Sequence, residues 1–195
     1  MKKIILILSL TTFLIGCHTE KRAPLNPEQE SILYFAYGSN ISSKRLNERI
    51  ELQEVIGAGQ LHHYELKFNS VGNDGSGKCN IVAKEQAIVW GVLYKISSSA
   101  LPALDAFEGV PQYYEQKTVL VIDSDGTTHE ALTYVAVKTA PHPPLPYLWY
   151  RDHVYRGAVE HHLPPTYIAK YILSVEAQDD PDEGRAYTER LTYEF

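Results

Sequence analysis

Apolar positions change their spacing several times along the chain, and each change marks an element. Residues 4–10 are an apolar run broken only at Ser9, and Phe13, Leu14 and Ile15 resume it after two threonines. Residues 32–37 are apolar and aromatic and stop at Gly38-Ser39-Asn40, which predicts a strand ending in a turn. Ser42 stands where an N-cap is expected, before a short helix over about 43–50. Residues 62–71 alternate as a strand does, and GNDGSG at 72–77 predicts a flexible loop. Residues 87–96 carry the strongest strand signal. A short helix follows with Leu101, Leu104 and Phe107 directed at the core. Pro102 suits its first turn and Gly109 its C-terminal cap. Residues 117–122 and 130–137 read as strands about a tight turn at Asp125-Gly126. After the proline-rich stretch 141–146 come two helical segments, near 149–160 and 166–175. In the second, Ile168, Tyr171, Ile172 and Val175 share one face. Residues 178–184 are acidic and read as a solvated tail. Strands joined by hairpins with few helices between them predict an α+β fold, not a doubly wound sheet.

Lys2 and Lys3 precede the first apolar run, which is too short to span a bilayer, so residues 1–16 have the form of a secretory signal. Leu14-Ile15-Gly16-Cys17 resembles a bacterial lipobox, and Cys17 is expected to take a lipid and anchor the protein to a membrane. An ordinary signal with an incidental cysteine is the alternative. His18, not aspartate, follows the cysteine, which favours the periplasmic side of the outer membrane where a cell has two membranes. The expected organisation is a signal at 1–16, the lipidated cysteine and a tether at 17–31, and one domain at 32–195.

Loss of sixteen residues from 195 leaves 179, and loss of two lysines moves the formal charge from −6 to −8. A nucleic-acid surface needs clustered positive charge, so that class of partner is excluded. With Cys17 acylated, Cys79 is left as a lone thiol, and no internal disulfide is expected. Nothing in the sequence sets the oligomeric state.

Two segments carry candidate chemistry. Tyr34-Phe35-Ala36-Tyr37-Gly38-Ser39-Asn40 takes a strand into a turn whose backbone N–H groups can face an anion, and Gly38 permits close approach. Taken alone this is also what an ordinary strand end looks like. The second segment runs from Val89-Trp90-Gly91-Val92-Leu93-Tyr94 to Leu104-Asp105-Ala106-Phe107-Glu108-Gly109. Glu108 falls in the last helical turn, where the helix field and partial burial both raise a carboxyl pKa. Such a group can accept and return a proton near neutral pH. A solvated glutamate before a capping glycine has the same spacing.

Together, the YFAYGSN run at 34–40, VWGVLY at 89–94 and LDAFEG at 104–109 resemble the γ-glutamylcyclotransferase family, with its AIG2-like members and its relatives in aminoglycoside biosynthesis. Tyr150, the Gly157-Ala158 pair, Leu163-Pro164 and Tyr167 continue the likeness, which extends over about 32–175. The resemblance implies a mixed α+β domain around a curved, barrel-like sheet. It implies Glu108 as the catalytic acid/base, a small γ-glutamyl substrate bound by Tyr34, Phe35, Ala36, Tyr37, Gly38 and Ser39, and Tyr150 completing the pocket. Tyr147 competes for that last place, because 143–146 departs from the family pattern. The reaction implied is intramolecular cyclisation to 5-oxoproline with release of an amine, with no metal or cofactor. A binding lipoprotein without turnover and a cyclotransferase for γ-glutamyl amines remain alternatives.

Other chemistries fit less well. Ser39 lacks a Gly-x-Ser-x-Gly elbow. His62-His63 and His161-His162 do not form a helical metal-ligand pair, and read as surface or edge residues. Lys78 near the glycine-rich loop lacks the GKS or GKT ending of a phosphate loop.

Overall fold

The computed structural model describes residues 30–192; the signal, Cys17 and most of the expected tether lie outside the described residues. Five strands close into a barrel. They are β1 (Ser31–Ala36), β2 (Leu52–Val71), β3 (Gly77–Ser97), β4 (Tyr114–Asp123) and β5 (Thr128–Ala136). Around the barrel the order is β1-β3-β2-β4-β5, with β1 and β5 parallel at Tyr34 and Leu132 and the other neighbours antiparallel. The helices are α1 (Ser43–Asn47), α2 (Leu101–Glu108), α3 (Leu148–Glu160), α4 (Pro165–Ile168) and α5 (Glu183–Leu191). This is the α+β fold that the sequence pattern predicts, with the barrel-like sheet that the resemblance implies.

Most local signals act as expected. The Ser42 hydroxyl accepts from the Arg45 N–H and caps α1. Gly109 ends α2 in the left-handed region at φ 68°, which a residue without a Cβ adopts at little cost. Asp125-Gly126 turns the β4–β5 hairpin. The segment at 166–175 is helical in two parts, since α4 widens into a π-turn over Ala169–Leu173. Its Ile168 and Ile172 are buried, and Tyr171 and Val175 pack against the core.

The β2–β3 hairpin is far longer than the two strand signals within it. Pairing runs from Leu52 with Ile96 to Val71 with Gly77, interrupted where His62 faces Ile88 and Tyr64 faces Ala83. Four residues of β3 there oppose His63 alone, and His63 and Gln86 both take positive φ. A bulge of this kind bends a hairpin. Val92 of β3 pairs with Ala36, the last residue of β1, so the earlier part of β3 overshoots that end of the barrel. The 72–77 loop predicted as flexible is the tight tip of this arm, held by the Asp74 carboxylate, which accepts from the Ser76 N–H and hydroxyl.

Three expectations are corrected. Phe107 faces outward and is 57% exposed, while Leu104 of the same helix is fully buried. Residues 178–184 are exposed as expected except at Asp180, and they lead into a helix instead of ending as a tail. Asp180 is buried, accepting from Trp149 Nε1 at 2.7 Å and from the Arg185 guanidinium at 2.5 and 2.6 Å, and α5 begins three residues beyond it. His161 is not a surface residue: its Nε2 lies 2.9 Å from the Ser43 hydroxyl and 3.1 Å from the Tyr94 hydroxyl.

Candidate functional site

A narrow cleft opens at the end of the barrel where β1 and β5 stop and β4 begins. It is lined by Tyr34, Tyr37, Gly38, Ser39, Asn40, Cys79, Glu108, Tyr114, Tyr134 and Tyr150. Each comes from a definite place in the fold. Tyr34 lies on β1, and Tyr37 to Asn40 form the turn after it. Cys79 comes from the overshooting arm, Tyr114 from the start of β4 and Tyr134 from the end of β5. Glu108 ends α2, and Tyr150 lies in the first turn of α3.

Hydrogen bonds fix this wall. Asn40 Nδ2 donates to the Tyr34 hydroxyl at 3.0 Å and to Glu108 Oε1 at 2.8 Å. Arg49 Nη1 donates to Asn40 Oδ1 at 2.9 Å and reaches the same Glu108 Oε1 at 3.5 Å. The Cys79 N–H donates to the Tyr150 hydroxyl at 3.0 Å, and the Tyr114 hydroxyl donates to the Cys79 carbonyl at 2.6 Å. The Tyr37 hydroxyl donates to the Tyr134 carbonyl, and the Tyr134 hydroxyl to Asp105 Oδ1 at 2.7 Å.

Glu108 therefore has two unlike oxygens. Both polar contacts fall on Oε1, and Oε2 has no hydrogen-bond partner among the described residues. The side chain is only 16% exposed. Burial pushes its pKa above the ordinary carboxyl value, against the charge of Arg49 and the Asn40 hydrogen bond, which pull it down. Burial likewise raises the Tyr34, Tyr37, Tyr114, Tyr134 and Tyr150 hydroxyls and pushes the Cys79 thiol up to about 12. The cleft is thus neutral and phenolic with a single readily titrated group, suited to moving a proton on and off a small polar ligand.

Of the residues singled out in the sequence, Glu108, Tyr34, Tyr37, Gly38, Ser39 and Tyr150 meet in this cleft. Phe35 and Ala36 do not line it. They pair with Leu93 and Val92 and are buried in the barrel core. Tyr150 borders the cleft and Tyr147 does not; the Tyr147 hydroxyl donates to the Asp74 carbonyl at 3.2 Å. Asn40, Arg49, Cys79, Tyr114 and Tyr134 are added by the structure. Asn40 lies inside the YGSN run and was within reach. Tyr114 and Tyr134 stand two positions apart on one sheet face, since Tyr114 pairs with Ala136 and Gln116 with Tyr134, but that needs the register. Arg49 lies beyond a five-residue helix and carries no local signal. Among the described residues no three His, Cys, Asp or Glu side chains group as metal ligands.

The cleft opens into a wider groove of about 600 Å³ that shares Ser39, Glu108, Tyr114 and Tyr150 with it and adds Arg45, Arg49, Lys78 and Arg185.

Comparison with known proteins identifies relatives in sequence and in fold. The AIG2-like family matches residues 88–171, which include Glu108 and Tyr150. Human γ-glutamylcyclotransferase is 32% identical over 159 residues, covering 78% of this chain and 83% of the relative. The bovine enzyme is 31% identical, covering 77% and 81%. A solved γ-glutamyl cyclotransferase superposes with a TM-score of 0.73 at 26% identity, over 83% of this chain and 99% of that one. On sequence and fold, the chain belongs to the γ-glutamylcyclotransferase family.

Proposed function

We propose that this protein cyclises γ-glutamyl compounds to 5-oxoproline and releases the attached amine, with Glu108 as the proton carrier. The observation that carries the reading is the asymmetry of Glu108. Oε1 is held by Asn40 and approached by Arg49, and Oε2 is left free at a tyrosine-lined cleft.

The glutamyl head enters with its chain folded back, so that the α-nitrogen reaches its own γ-carbonyl. Oε2 takes one proton from the α-ammonium. The freed lone pair attacks the γ-carbon, and the carbonyl electrons move onto oxygen. Gly38, Ser39 and Asn40 of the turn line the cleft, and their backbone N–H groups are the donors assigned to that oxyanion. When the carbonyl re-forms, the bond to the leaving nitrogen breaks, and Glu108 returns its proton there. The carboxylate then takes the second proton from the ring nitrogen, which the departing amine carries off as ammonium. Holding the folded-back chain supplies much of the acceleration, up to ~7–11 kcal/mol for ideal positioning. Incubation with γ-glutamyl dipeptides is expected to give 5-oxoproline and free amine in equal amounts. Glutamate in place of 5-oxoproline would mark hydrolysis and defeat the reading.

We also propose that the protein is exported and held to the membrane by a lipid on Cys17. Support comes from Leu14-Ile15-Gly16-Cys17 behind a short apolar run with two leading lysines. Cys17→Ala should abolish incorporation of labelled fatty acid. Label retained on the variant, read by intact mass, would sink the proposal.

A further inference from the structure

In the reaction above, Glu108 returns its proton only from Oε2, the oxygen left free at the cleft. A carboxyl group does not enforce that choice by itself, because its two oxygens are chemically equal. We propose that Arg49 enforces it as a positioning residue, locking the Asn40 amide in one orientation and so barring the proton from Oε1. This rests on the cyclotransferase reading and adds a residue to it.

An asparagine amide has two orientations related by a half-turn, and its neighbours decide between them. Asn40 has three. The Tyr34 hydroxyl, 3.0 Å from Nδ2, can donate or accept, so it expresses no preference. Glu108 Oε1, 2.8 Å from Nδ2, demands a donor, but only while the carboxyl is ionised. Protonated on Oε1, it becomes a donor itself and suits a turned amide that presents Oδ1. The proton would then lie between Oε1 and Oδ1, away from the leaving nitrogen, and the cycle would stop. Arg49 Nη1, 2.9 Å from Oδ1, is the neighbour that does not change, since a guanidinium carries only donors and keeps its charge. A turned amide would set Nδ2 against Nη1, donor to donor. With Arg49 in place Nδ2 stays on Oε1 in both protonation states, and the proton is left to Oε2.

Arg49 is itself held. Its guanidinium carbon stands 5.3 Å from the ring centre of Phe107, and its side chain is largely buried. That gives the outward-facing Phe107 a role, because an aromatic face supports a cation. Nη1 also lies 3.5 Å from Oε1, and among the neighbours of Glu108 its charge does most to keep the carboxyl ionised. Arg45 acts in the same sense and Asp105 against it. Burial keeps the other groups around the cleft protonated: Tyr34, Tyr37, Tyr114, Tyr134, Tyr150 and the Cys79 thiol. Only the carboxylate takes the ammonium proton, so activity is lost as pH falls through the Glu108 pKa. Removing a cation raises that pKa.

The test follows 5-oxoproline formed from γ-glutamyl-L-alanine by the whole chain across pH. In Arg49→Met the acid-side fall of kcat/KM should begin at higher pH. Its kcat should drop roughly 10- to 100-fold, the size expected when a reacting group is misplaced, with KM nearly unchanged. Arg49→Lys, again a cation with donors only, should restore the acid limb and most of kcat. An acid limb that stays in place in Arg49→Met would overturn the proposal. So would a loss confined to KM, which would put Arg49 on the substrate. Should Arg49→Met not fold, the exposed Phe107 offers a second variant. Phe107→Ala frees the guanidinium and should move the limb the same way, and an unmoved limb there overturns the proposal. A wild-type chain that forms no 5-oxoproline would remove the cyclotransferase reading and this role with it, whereas wild-type turnover with unmoved limbs in the variants removes the role alone.

Discussion

Asn40 ties three functional groups together with one amide. Its Nδ2 reaches the Tyr34 hydroxyl and Glu108 Oε1, and its oxygen accepts from Arg49. An amide with donors and acceptor all engaged cannot rotate without losing them, so the carboxylate is held at one oxygen and available at the other. Gly38 controls access to the same place. A Cβ there would lie 3.2 Å from Cys79 Cβ and 3.4 Å from the Tyr150 hydroxyl, so the added methyl groups of valine would enter the cleft. Gly38→Val should weaken 5-oxoproline binding by about tenfold or more, because overfilling a packed site displaces what it holds. Its melting temperature should stay near that of the wild type. Unchanged affinity by calorimetry would remove Gly38 from the binding wall.

At the scale of elements, the turn after β1 is held by α3. A Cβ on Gly157 would lie 2.4 Å from the Ser42 nitrogen and 2.7 Å from the Ile41 carbonyl carbon, both backbone atoms that cannot swing away. Gly157 therefore lets the helix axis approach the turn that borders the cleft. Gly157→Ala gains helix propensity but must push α3 outward, and overpacking of this kind costs about 1–3 kcal/mol. Urea unfolding should show that loss together with a raised KM; stability equal to or above the wild type would contradict the contact. Much of this level was legible, because caps and turn residues report local backbone shape: Ser42, Gly109 and Asp125-Gly126 all mark real ends. The long hairpin was not. Residues 53–56 are exposed and glycines stand at 57 and 59, so the alternation there is weak, and the bulge at His63 interrupts the pairing that continues to Val71. The fate of Asp180 was equally hidden, since Trp149 lies 31 residues away and nothing local marks the pair.

Across the whole molecule, the barrel sets the separation between the tyrosine cleft and the charged groove. Closure brings the ends of β1 and β5 beside the start of β4, and the overshooting β2–β3 arm covers that end with Cys79 and Lys78. The tyrosine cleft and Glu108 thus lie inside, with the charged groove outside them. The cleft residues of YFAYGSN and LDAFEG could be read from the sequence because each run is local. The groove could not, since Arg49, Lys78 and Arg185 come together only when the arm and α5 are in place.

The central claim is that Glu108 carries the proton. Glutamine at 108 keeps the size of the side chain and can still accept from Asn40, but it cannot take a proton from an ammonium at neutral pH. The direct measurement is the rate of 5-oxoproline formation from one γ-glutamyl dipeptide by wild type and Glu108→Gln, with circular dichroism showing both folded. The account predicts a loss of roughly 10²–10⁴-fold in kcat, the range of general acid–base catalysis. Equal rates in the two folded proteins would contradict it.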